Sequence, residues 1–157
     1  MPSSAYMHLM LNHIPEVGTA ALLIVFLYAV SAKNDKLKKF TMVLVFLMAL
    51  LTIAVFITGN NAEGSVKGLD GIIEENIDPH QEFAAKSFFA MELLGAVALT
   101  GLLIFRKPKE LPQWFSILTL SLMLIVNGMM LYTAHLGGKI FHNEIMQRNS
   151  NNNKVDK

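Results

Sequence analysis

The last apolar run of the chain closes on the stretch HLGGKIFH, in which His135 and His142 flank Gly137 and Gly138. On a helix, residues a heptad apart lie within about 20° of one face and about 10.5 Å apart along the axis. Neutral imidazoles presented in this way are ligand-like, because a ring nitrogen holds a metal ion or one axial position of a haem iron. His8, His13 and His80 are the remaining histidines. Their meaning depends on the elements that carry them.

Those elements are apolar. The chain has 157 residues, 53% of them hydrophobic and only 16% charged, with a mean hydropathy of +0.44, which is a membrane composition. Four runs are long enough to cross about 30 Å of hydrocarbon, with spans expected at 8–32, 40–58, 83–105 and 114–136. Pro15 falls early in the first, as a kink or a first-turn residue. No Lys or Arg precedes this run, so it lacks the positive start of a secretory signal and is expected to be retained. Residues 59–82 are polar, glycine-punctuated and acidic, and read as a long extramembrane loop with a short helix within 71–76. Asp78-Pro79 marks a helix start, as does Pro112 with Trp114. The Asn-rich tail, 149–157, is expected to be disordered.

The fold expected is therefore an all-α four-helix transmembrane bundle forming one domain over 1–148. Lys33, Lys36, Lys38 and Lys39 occupy one short connection, and Arg106, Lys107 and Lys109 the other, whereas the 59–82 loop carries only Lys67. The positive-inside rule then puts both termini outside. His8, His13, His80, His135 and His142 all fall near that outer face. Five histidines on one side are also compatible with simple tolerance of imidazole at the head-group level. Ionisable residues within membrane helices are nonetheless functional candidates by default.

Depth pairs His13 with His135 across the bundle and leaves His8 and His142 as an outer pair. Two imidazoles facing each other from two helices supply bis-histidine ligation of a b-type haem. Gly137 and Gly138 would either open a slot for the flat ring or end the helix. On a straight helix His8 and His13 point about 140° apart, so both serve only if the chain bends; one haem is expected, and two only with such a bend. Glu16, one turn below His13, would orient its imidazole. Glu92 lies inside an apolar helix, where it would relay protons, bond to Asn127, or simply be packed protonated.

Two other functions fit the same residues. A non-haem zinc or copper site would use His8, His80 and His142 with Glu74 or Asp78. A cofactor-free accessory subunit would pack on a larger membrane or respiratory complex through its ten methionines and small-residue faces. With no cysteine, c-type haem attachment, cysteine-held iron–sulfur clusters and thiol chemistry are excluded. A net charge of +1 offers no field for nucleic acid. Ser3, Ser4 and Ser65 have no base and no nucleophile elbow. The histidines lack the clustering of a membrane hydroxylase, and nothing resembles the broken helices or repeats of a transporter.

NHIPEVG opening the first helix, TGNNAEG closing the second, a histidine before the third and AHLGGKIF closing the fourth resemble a bacterial family of four-helix inner-membrane proteins whose members look like small b-type cytochromes. The likeness covers most of residues 8–142. The usual opening of that family has a histidine, a proline and a second histidine; here Pro15 follows both His8 and His13. The resemblance implies a multi-pass protein of the bacterial inner membrane that looks like a small haem b cytochrome; with the termini in the periplasm, as the positive-inside rule has them, a haem near that face is expected to pass electrons to an outer-side carrier or a neighbouring subunit.

Overall fold

The computed structural model describes residues 4–67 and 72–141 and is all-helical there. Five α-helices make four long rods: α1 (Ser4–Leu11) and α2 (His13–Ser31) together, then α3 (Asp35–Val66), α4 (Ile77–Ile104) and α5 (Gln113–Phe141). All four rods are long and apolar enough to span a bilayer, as in a multi-pass membrane protein. A single 3-10 turn, Glu74–Asn76, precedes α4. His142, Asp70, Gly71 and the 149–157 tail lie outside the described residues.

Around the bundle, α2 packs on α3 and α5, and α4 packs on the same two helices, so α2 and α4 stand diagonally. The interior is built from Phe26, Met42, Val45, Met91, Leu94, Ala98, Met123 and Val126, all essentially inaccessible. The outside is as apolar as the inside: Ile24, Phe89, Val17 and Leu103 are each more than 60% exposed. Such a surface suits hydrocarbon and not water. The buried hydroxyls of Thr41 and Thr119 are satisfied within their own helices, donating to the Leu37 and Phe115 carbonyls, both at 2.9 Å.

Close approach between rods is set by small residues. A Cβ on Gly95 would stand 2.5 Å from the Cβ of Ala49, and one on Gly101 would meet the ring of Phe115 and the Met42 methyl. The α2–α3 connection is a Schellman turn: Asn34 N donates to the Ala29 carbonyl at 2.9 Å and Lys33 N to that of Val30 at 3.1 Å. Lys33 takes the left-handed conformation there, φ 52°, where a side chain is strained. Lys33→Gly is accordingly expected to stabilise the bundle by about 1 kcal/mol, read as a rise in the denaturation midpoint in detergent. Asn34 then caps α3 by accepting from Leu37 N at 3.1 Å.

The helices outrun the hydrophobic runs at the histidine end. With 32 residues, α3 is about 48 Å long, far more than the hydrocarbon needs, and it continues through Gly59, Asn60, Asn61 and Glu63 to Val66 instead of stopping at Thr58. Likewise α4 starts at Ile77, not Phe83, and α5 runs past Leu136 to Phe141 without ending at its glycine pair. Much of the expected loop is thus helical. Hydropathy registers only the hydrocarbon, while backbone hydrogen bonding carries a helix on into the polar zone. What remains of the loop straps the end of α5: Ile73 N donates to the Ile140 carbonyl and Asn76 Nδ2 to that of Lys139, both at 3.1 Å.

Candidate functional site

Pro15 has no N–H for the Leu11 carbonyl, and its ring crowds that group. The first rod breaks at Asn12, between α1 and α2. Asn12 keeps α-helical dihedrals, φ −60° and ψ −32°, so His8 and His13, five residues apart and about 140° around the helix, face α3 and the rim respectively. The helical overhangs enclose a cavity of about 420 Å³ at this end, lined by all four rods, within the roughly 300–1,000 Å³ of cofactor and small-molecule sites. Val55, Phe56, Ala84, Phe88 and Ala134 give it an apolar wall, stiffened by stacking of Phe56 on Phe88 at 4.3 Å.

Two histidines enter this cavity in the same manner. The His8 ring lies over Gly59, where an added Cβ would come within 2.8 Å of its Cε1. Its Nδ1 is 3.1 Å from the Val55 carbonyl, one turn before that glycine. The His80 ring lies over Gly137, with the corresponding approach 3.1 Å, and its Nδ1 is 3.1 Å from the Thr133 carbonyl, again one turn before the glycine. Thr133 is itself held by Ser87, hydroxyl to hydroxyl at 2.8 Å. A carbonyl only accepts, so Nδ1 carries the proton in both rings, and Nε2 keeps its lone pair.

The arrangement is a repeat. Each hairpin, α1–α2 with α3 and α4 with α5, has a histidine at the start of its first rod seated on a glycine near the end of its second. Because the first rods stand diagonally, the two imidazoles approach one cavity from opposite corners of the bundle, near enough to interact electrostatically. Sequence reasoning named both histidines and Gly137, but gave the leading roles elsewhere and left out Gly59. The available signal was the shared order of histidine, apolar hairpin and glycine in the two halves.

The other expected residues fall outside this pairing. His135 is exposed beside Tyr132, ring centroids 6.3 Å apart, and is not among the cavity-lining residues. The expected partnership of His13 and His135 across the bundle is therefore not formed in the cavity. His13 touches its rim with a side chain 70% exposed, 3.4 Å from Glu16. Gly138 lines the cavity together with Gly137. Asn127 is buried but bonds to the Met123 carbonyl at 2.8 Å and, at a longer 3.4 Å, to Thr19 on α2, not to Glu92. The Oε1 of Glu92 is buried without a partner among the described residues, and Glu92 does not line the cavity. No group of three or more His, Cys, Asp or Glu side chains able to hold a metal ion occurs among the described residues, including the expected set of His8, His80, Glu74 and Asp78; its other member, His142, lies outside them.

No protein-family model, no curated protein and no solved structure matches this chain.

Proposed function

We propose that the cavity holds one haem b with His8 and His80 as its axial ligands, and that the protein is a membrane electron-transfer protein or subunit. The duplicated seat of the two imidazoles carries this reading. Each ring is fixed in orientation and tautomer by a backbone carbonyl, which is the outer-shell support that metal-bound histidines require, and each leaves Nε2 free for iron. The glycines beneath them are cradles that any side chain would fill. The apolar wall and the volume suit a macrocycle, and the seating of His8 against α3 and of His80 against α5 suits ligation from two sides.

Bound haem would supply a one-electron ferric–ferrous couple. The chain's own part would be to hold the haem through the Nε2 atoms of His8 and His80, to shield the ring from bulk water with Val55, Phe56 and Phe88, and to fix the two imidazoles through the Val55 and Thr133 carbonyls. A single haem follows, because His13 and His135 are exposed and form no second facing pair. The positive-inside bias still favours an outer, periplasmic location for this end in a bacterial inner membrane, with an outer-side carrier or a neighbouring respiratory subunit as the redox partner. The zinc or copper alternative and the cofactor-free accessory role have no comparable observation in their favour.

Electron paramagnetic resonance of the oxidised protein tests the ligand set. Two imidazoles give a low-spin ferric signal; a predominantly high-spin signal would mean that one axial position is open and would sink the pairing of His8 with His80.

A further inference from the structure

The opposite end of the bundle carries a second built cavity. Asp35, at the start of α3, accepts from the backbone N–H of Leu111 at 2.8 Å through Oδ1 and pairs with Lys39 at 2.7 Å through Oδ2. The Lys39 ammonium also donates to the Lys109 carbonyl at 2.6 Å. These contacts pin the α4–α5 connection against the first turn of α3 and leave between them a space of about 430 Å³. Asp35 pairs closely with Lys39 and more distantly, at 3.7 Å, with Lys38, so one carboxylate is shared by two ammonium groups. Lys36, Lys107 and Lys109 also line the cavity, yet their ammonium groups make no ion pair among the described residues. Among the lining residues four lysines face two carboxylates, Glu110 and the Asp35 already paired with Lys39.

This surplus lies at a definite level. The rods end at Ser31 and Ile104 and restart at Asp35 and Gln113, so the cavity sits at the head-group boundary. Toward the hydrocarbon, Phe40, Leu103 and Trp114 are each well over half exposed, a surface that suits acyl chains and that a soluble anion would not use. We infer that this cavity binds the phosphodiester head group of an anionic phospholipid, with Lys36, Lys107 and Lys109 around the phosphate and the chains laid along Phe40 and Trp114. Basic recesses between membrane helices favour such head groups through ammonium–phosphate hydrogen bonds in a region of reduced dielectric.

Native mass spectrometry of the full-length protein, released from detergent with equal amounts of dioleoyl phosphatidylglycerol and phosphatidylcholine, tests it. Retention of the anionic lipid is expected to exceed that of the zwitterionic one by about 10-fold. Lys36→Gln with Lys107→Gln should bring the two close to parity, while Lys33→Gln with Arg106→Gln, which removes equal charge outside the cavity lining, should preserve the preference. Should the first pair fail to fold by circular dichroism, Lys109→Gln alone is expected to weaken retention in the same direction. Equal retention of both lipids by the unaltered protein, or equal loss in the two double variants, would overturn the site. Displacement of phosphatidylglycerol by about 1 mM inorganic phosphate would overturn a lipid as its occupant and assign a free anion instead.

Discussion

Replacing His8 or His80 with alanine is expected to lower bound haem from about one per chain to below about one tenth, because a macrocycle held from one side only is readily lost from so small a bundle. Pyridine haemochrome content of the purified variants, normalised to protein, measures it. His135→Ala should retain the haem, since its ring is exposed and outside the cavity lining. His13→Ala should retain it as well, with at most a shift in midpoint potential from the altered rim. The seats give a second handle: a Cβ on Gly59 meets the His8 ring closely, so Gly59→Val should displace His8 and reduce haem while leaving the imidazole in the sequence. If His135→Ala loses the haem and His80→Ala keeps it, the ligands lie at the pair that depth along the helices suggests, His13 and His135.

The second large effect concerns the fold. Gly95→Ala would drive a Cβ to 2.5 Å from that of Ala49, and neither helix can yield without moving its backbone. Overpacking of this kind costs about 1–3 kcal/mol. Gly128→Ala should act in the opposite direction. Nothing lies within 4 Å of its added methyl, and alanine favours helix over glycine by up to about 1 kcal/mol. Titration of the two variants with a denaturing detergent should move their midpoints to opposite sides of the unaltered protein. A neutral Gly95→Ala would mean that α3 and α4 pack less closely than their contact at Ala49 indicates.

The four membrane-crossing rods were legible because hydrocarbon demands unbroken apolar runs, and the clustering of His8, His13 and His80 toward one end followed from counting those runs. The ends were not legible. Residues such as Asn60 and Glu63 look like loop to hydropathy, yet they continue α3 and build the cavity wall. The heptad of His135 and His142 drew attention because periodicity is visible in a sequence. The seats of His8 and His80 are tertiary: they depend on glycines brought beneath the imidazoles from the neighbouring rods. Gly59 stood at the start of the expected loop and Gly137 was half of a slot or a helix end; each is instead the surface on which an imidazole rests. A bond between Asn127 and Glu92 was one of the alternatives for two polar residues in apolar helices; α5 packs on both α2 and α4, and the Asn127 side chain meets Thr19 on α2.

The most direct measurement is the dithionite-reduced minus oxidised absorbance spectrum of the protein purified from haem-replete cells. A sharp α-band accompanied by one haem per chain is the expected result. A colourless, fully folded preparation would contradict the central claim and leave the paired imidazoles without a haem to hold.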